Sequence, residues 1–433
     1  MTIQVSVLDN GMRVVSHRMP HLETVSLGVW VATGARHEAA HENGISHLLE
    51  HMAFKGTMRR DARRIAEEIE QVGGELNAAT SAEMTAYYAR ILKPDVELAI
   101  DILADILQNS RFVKDELERE REVILQEIAA TRDSPEEIAF DLLHEAAFPD
   151  QALGRPILGS EESVSRFTGE DLVRFQTGRY RAGDLVLSAA GAVDHDQVVK
   201  CAAALFSGLP AGKAEAGTVA RYHGGQRTFE KSFEQSHLVL AFEAPSYRSR
   251  DFYAAQVYSG VLGGGMSSRL FQEVRERQGL CYSIYSSCWG LSDTGVFGVH
   301  SATSAEQMPK LIDVVIDQIE RSANDGAKAA EVARAKAQIK AGLLMGLESS
   351  SGRAEQMARQ LLAFDRLLTT EEMIERVEAV RESDVRDMAS RLVSGSDATV
   401  IVVGAGRRTR QCMASLGRLA AMRSPGRGIG TSA

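Results

Sequence analysis

One order of elements is written twice along the chain, and that repeat limits the possible folds more than any single motif. The first pass predicts a strand over Val25 to Ala32, a polar loop, a helix over Ile45 to Phe54, a second helix over Asp61 to Val72, strands through Asn77 to Leu92, then helices. The second predicts a strand over His237 to Phe242, a polar loop, a helix over Phe252 to Leu262, a short helix over Ser268 to Arg277, strands through Tyr282 to His300, then helices. Strands followed by helical runs in each half point to an α+β fold, two similar layered domains from an internal duplication. The 433 residues suit two such domains, each of roughly 200 residues. Breakers between Leu209 and Gln235, including Gly224-Gly225, mark the division. The expected layout is a first domain over 1–212, a linker over 213–232, a second domain over 233–421 and a loose tail over 422–433.

The formal net charge is −10, which disfavours nucleic acid or an anionic membrane surface as partner and mildly favours cationic substrates. Cys201, Cys281, Cys288 and Cys412 have no Cys-x-x-Cys spacing, so neither a disulfide framework nor a thiolate metal site is expected. No long apolar run suits a membrane span. The N-terminus reads as a strand and turn rather than a targeting segment, so a bacterial-type cytoplasmic protein, or an already processed mature form, is expected.

The chemistry is concentrated in the first half. His47 and His51 are four residues apart on the expected helix, so both imidazoles share one face. Neutral imidazoles are good zinc ligands. Glu50 lies beside that face, where a carboxylate can take a proton from an attacking water without being a ligand. Two histidines leave zinc one protein ligand short. On the helix Glu116 to Thr131, residues Glu120, Ile124, Glu127 and Ile128 share one face. A carboxylate among apolar residues is costly unless paired, and a metal is such a pair. Glu127 is the expected third ligand to one Zn2+ per chain, and Glu120 is expected to orient a histidine or the water from behind. Asn43 or Ser46 is expected to cap the metal helix. The second half has no histidine in its matching helix, and Ala341-Gly342-Leu343-Leu344 stands where the first half has Glu127. One half holds the metal and the other supports it.

A competing pattern, His37-Glu38-Ala39-Ala40-His41, follows the ordinary His-Glu-x-x-His order. It sits between Thr33-Gly34 and Asn43-Gly44 with only two alanines as apolar residues, so it cannot bury a helical face and is expected to be a polar loop.

The stretch Asn-Gly-Ile-Ser-His-Leu-Leu-Glu-His-Met-Ala-Phe-Lys-Gly-Thr at 43–57 closely resembles the active-site helix of the inverted-motif zinc peptidases. These are the group of pitrilysin, insulin-degrading enzyme and mitochondrial processing peptidase. Glu122-Val-Ile-Leu-Gln-Glu127-Ile resembles their third-ligand segment, and Glu120 matches their acid behind the ligands. Gly73 to Glu83 resembles the edge strand that pairs with substrate, which implies substrate contacts at Asn77 and Ala78. Leu262 to Ser283 resembles the second-half signature, which implies that Arg275 and Tyr282 help hold substrate. The resemblance covers nearly the whole chain and is strongest to the short, two-domain, processing-peptidase beta-like branch. It implies a clamshell metallohydrolase fold and a zinc-dependent endopeptidase acting on peptides or presequence-like unfolded segments. It also implies a homodimer or a heterodimer with a related chain. The alternative is a non-catalytic structural or partner subunit of the same fold. Such chains usually lack some zinc ligands, and this one lacks none.

Overall fold

The computed structural model describes residues 3–422. The expected tail lies outside the described residues, apart from Met422. Two mixed sheets organise two compact units, and the expected α+β class is observed in both.

The first unit comprises the chain up to Ala130, Arg155–Thr218 and Leu343–Thr369. Its sheet contains β1 (Ile3–Val7), β2 (Arg13–Arg18), β3 (Thr24–Val31), β4 (Glu75–Thr80), β5 (Thr85–Leu92) and β6 (Leu185–Gly191), in the order β1-β2-β6-β3-β5-β4. Only the β2–β6 pair is parallel. Along β3, Val25, Leu27, Val29 and Val31 fall at period two and share one face. That face packs against α1 (Ile45–Ala53), α2 (Ala62–Glu70) and α3 (Val96–Gln108), which contribute Leu48, Met52, Ile65, Ile100 and Leu103 to one core. Next along the chain comes α4 (Lys114–Thr131), whose Leu117, Ile124 and Ile128 join the same core.

The opposite face of this sheet is also apolar. Val15, Trp30, Ala86, Val186 and Ala190 pack against Ala354, Met357, Ala358 and Leu361 of the helix Ser350–Phe364. Polar contacts fix that helix. Arg353 Nε donates to His17 Nδ1 at 3.1 Å, and Ser188 Oγ donates to the Ala354 carbonyl at 2.7 Å. Because both faces are covered, β6 is buried along its whole length and reads as an unbroken run of apolar and small residues.

The second unit comprises Thr131–Gly154, Val219–Gly342 and the chain from Thr370. Its sheet contains β7 (Gly225–Phe229), β8 (Ser236–Glu243), β9 (Ser283–Gly290), β10 (Gly295–Thr303) and β11 (Thr399–Val403), in the order β7-β11-β8-β10-β9. It repeats the first arrangement without a counterpart of β1, so its parallel pair, β7–β11, lies at one sheet edge and the hairpin strand β9 at the other. α5 (Pro135–Ala147) packs on β7, β8 and β11. Each sheet therefore takes one covering helix from the opposite half of the sequence. The segment 213–232, expected to be a linker, contains β7, because Gly224 and Gly225 turn the chain into an edge strand at positive φ.

α5 also roofs a buried histidine pair. His237 Nδ1 lies 3.1 Å from His300 Nε2, and Phe140 stacks on His300 at 5.5 Å. Glu136 is 3.9 Å from His300 Nδ1 and accepts a hydrogen bond from Tyr285. Burial lowers both imidazoles, His300 to about 4. The unfolded chain takes up protons near the ordinary histidine value of about 6.5, while the folded unit resists them. Stability contributed by the neutral pair is thus present above about pH 6.5 and lost as pH falls toward about 4. In a Trp30→Phe background, Trp289 fluorescence should report unfolding of this unit. Adding His300→Asn should flatten the pH slope of its unfolding free energy in that window by up to about 1.4 kcal/mol per pH unit. An unchanged slope would show that the pair does not resist protonation.

Candidate metal centre

α1 is short, and nearly everything about it is fixed by its buried face. Ile45, Leu48, Leu49 and Met52 are at most 1% exposed and seat the helix in the core. His47, Glu50 and His51 are left on the less buried side, as the four-residue spacing requires. α4 brings the second half of the site. Glu120, Ile124 and Ile128 face inward, and Glu127, one turn past Ile124, projects toward the histidines.

The ligand-capable atoms of His47, His51 and Glu127 lie within 4.8 Å of one another, the one such group among the described residues. Glu127 Oε2 is 3.5 Å from His47 Nε2 and 3.7 Å from His51 Nε2. Two zinc–ligand bonds meeting at a tetrahedral angle place their ligand atoms about 3.3 Å apart. The donor set therefore fits zinc with little adjustment. The rings meet edge to face with centroids 4.6 Å apart. The His47 side chain is 11% exposed, that of His51 18% and that of Glu127 41%, so one side stays open to water. Burial, and then His51, lower the His47 imidazole to about 4, so it is neutral and able to ligate at neutral pH.

Glu120 lies behind His51. Its Oε2 lies 3.0 Å from His51 Nδ1, and its Oε1 is held by Lys55 Nζ at 2.6 Å. A lysine-paired carboxylate accepts, so Nδ1 carries the proton and the Nε2 lone pair is free to face Glu127. Lys55 was not singled out from the sequence, although it lies one helical turn after His51 on the way out of α1.

Glu50 is half buried. Burial, and to a smaller degree Glu127, raise its carboxyl, while hydrogen bonds from the Thr80 side chain and backbone, together with His51, pull the other way. Thr80 ends β4, and β4 ends the sheet, pairing with β5 alone. Asn77 is exposed on that edge, and its Oδ1 accepts from the Ala78 N–H at 2.8 Å. The Ala78 side chain is 8% exposed and belongs to the core, so only its backbone is available to a ligand. Arg275 and Tyr282 lie in the second unit and are paired with each other, the guanidinium 5.0 Å from the tyrosine ring and 4.5 Å from Phe271. Tyr282 is 79% exposed.

Neither Asn43 nor Ser46 caps α1. The cap position is Gly44, at φ 93°, with no side-chain cap of its own. A Cβ there would meet Gly159 Cα at 2.7 Å. The pattern His37 to His41 forms no α-helix. It is two short 3-10 turns, Ala35–His37 and Ala40–Glu42. His37 Nδ1 accepts from the Gly34 N–H, and His41 is exposed. The expectation of a polar loop misses Glu38, which is 3% exposed and hydrogen-bonded to the start of α1.

Comparison with known proteins finds relatives over most of the chain. The family Insulinase (Peptidase family M16) matches residues 13–161, and the Peptidase M16 inactive domain matches residues 166–339. An uncharacterized zinc protease of Rickettsia felis is 38% identical over 399 residues, covering 92% of this chain and 97% of that protein. The uncharacterized zinc protease YmxG of Bacillus subtilis is 36% identical over the same length, with the same coverage of each chain. Two solved structures share the fold. A peptidase M16 inactive domain from Pseudomonas fluorescens has a TM-score of 0.86 at 21% identity, covering 93% of this chain and 98% of that one. A protease from Helicobacter pylori has a TM-score of 0.85 at 22% identity, covering 93% and 99%. With two relatives matched above one-third identity over almost their full length, this chain belongs to the insulinase family of peptidases, M16.

Proposed function

We propose that this protein is a zinc-dependent endopeptidase in which His47, His51 and Glu127 hold the metal and Glu50 is the general base. The observation that carries the reading is the convergence of two imidazole nitrogens and one carboxylate oxygen within 4.8 Å, with an unligated carboxylate on the same helix. The naming of its relatives as zinc proteases supports it.

Zinc bound there supplies Lewis-acid polarisation of a carbonyl and lowers the pKa of water. The residues of the chain do the rest. Glu50 takes the proton of the attacking water and delivers it to the leaving amine. Its raised carboxyl suits both transfers, since a base is most effective with a pKa near the working pH. Thr80 steers that carboxylate from the end of β4. An extended peptide adds to the free edge of β4 through main-chain hydrogen bonds, alongside Asn77 and Ala78. The Asn77 side chain gives up the Ala78 N–H when it does. Arg275 and Tyr282 are assigned to holding the peptide. The inactive-domain match over 166–339 favours a second reading, a non-catalytic partner of the same fold. Metal content together with peptide cleavage separates the two.

Glu50→Gln should retain about one zinc per chain and lose turnover by roughly 10²- to 10⁴-fold. Near-normal cleavage by the purified variant would remove Glu50 from the chemistry. Glu120→Gln should weaken zinc binding by about 10- to 100-fold in chelator competition, because His51 loses its orienting acceptor. His47→Ala should abolish zinc retention and His37→Ala should leave it intact, as read by elemental analysis. The reverse result would move the centre to the other motif.

A further inference from the structure

We propose that Glu38 is a positioning residue for the metal helix: its carboxylate, seated on the first N–H groups of α1, sets where the helix begins and so where His47 points. The inference rests on the zinc-peptidase reading of the same site.

α1 has nine residues, and its two histidines lie near its ends. His47 is the third residue of the helix and His51 the seventh. A helix this short is marginal by itself, and its first N–H groups have no partner within the helix. A ligand in the first turn is therefore lost to fraying unless those groups are satisfied. The usual remedy, a Ser, Thr, Asp or Asn at the cap, is closed here. Gly44 holds positive φ and lies against Gly159, and no Cβ fits. The cap has to come from elsewhere in the chain.

Glu38 supplies it. One carboxylate oxygen accepts from Gly44 N at 2.8 Å, and the other from Ser46 N at 2.9 Å. Asn43 Nδ2 adds a third donor at 3.4 Å, and also donates to the Pro156 carbonyl at 2.9 Å. Burial raises the Glu38 carboxyl to about 7, while hydrogen bonds from Ser46, Gly44 and Asn43 pull it back toward the anion that the positive end of a helix favours. The support is itself clamped. Arg155 donates to the Glu38 carbonyl, and Arg179 donates to the His37 carbonyl at 2.7 Å. Arg36 pairs with Glu83 and donates to the Thr218 carbonyl. A carboxylate buried to 3% exposure is costly without such partners. Three arginine-tied contacts around one buried acid form a mount for α1 that does not touch the ligands.

The test is zinc affinity of the full chain by competition with a chromophoric chelator, using zinc alone as probe. Glu38→Ala should weaken zinc by about tenfold, the size of one lost helix cap. Glu38→Gln keeps one acceptor and should weaken it about threefold. His41→Ala, at an exposed position of the same loop, should leave it unchanged. At saturating zinc, KM of Glu38→Ala should match wild type and kcat should fall by less than about threefold, since the reacting groups are all present. A folded Glu38→Ala chain with zinc affinity within twofold of wild type overturns the proposal. Where Glu38→Ala does not fold, Glu38→Gln decides, and unchanged affinity overturns it. Hydrogen exchange at Gly44 to His47 in the metal-free chain separates the two readings. Faster exchange in Glu38→Ala, with no zinc held by wild type, supports the mount and removes the zinc centre. Unchanged exchange overturns the mount.

Discussion

Two imidazoles and a carboxylate are held near one point by two separate helices, α1 and α4. Burial disfavours charge on His47, and His51 beside it adds to the effect. Glu127 is drawn to the histidines only from α4, a separate helix. The centre therefore depends on the placement of two helices. The placement comes from apolar packing. Leu48, Leu49 and Met52 of α1 and Ile124 and Ile128 of α4 enter one core beneath the sheet. Such packing tolerates little displacement, so the ligand atoms inherit the precision of the core.

Polar contacts refine what the core sets coarsely. Lys55 and Glu120 choose the tautomer of His51, Thr80 aims Glu50, and Glu38 holds the helix start. Each acts on one residue or one turn, and each comes from a different segment of the first unit. The centre is thus assembled from segments far apart in sequence, which is why a five-residue motif recognises it and yet does not describe it.

Much of this was legible beforehand. β3, α1, α2, β4 and β5 fall within a residue or two of the expected ranges because their periodicities are strong. Glu127 and Glu120 were legible because acids on the apolar face of α4 require a reason. The cap was not, since Glu38 reaches α1 across six residues of loop and leaves no local signature. The exchanged helices were not legible either. α5 and the helix Ser350–Phe364 each present an apolar face, and an apolar face does not say which sheet it will cover. Burial on both faces left a trace only in β6, an unbroken run of apolar and small residues, whereas β10 is buried throughout and still carries His300, Ser301 and Thr303.

The duplication supplies an internal comparison for α1. The second unit repeats the sheet order, and its helix Phe252–Gly263 holds the place of α1 with Ala254, Ala255, Val257, Tyr258, Val261 and Leu262 buried. With no ligands to present, that helix is apolar nearly all round and sits as ordinary core. α1 could have done the same, at lower cost, had only a scaffold been needed. Instead the first unit keeps a desolvated histidine, a half-buried Glu50 raised by burial and an acid behind His51. Among the described residues, the contrast between the two copies of one fold is that only the first brings two imidazoles and a carboxylate together.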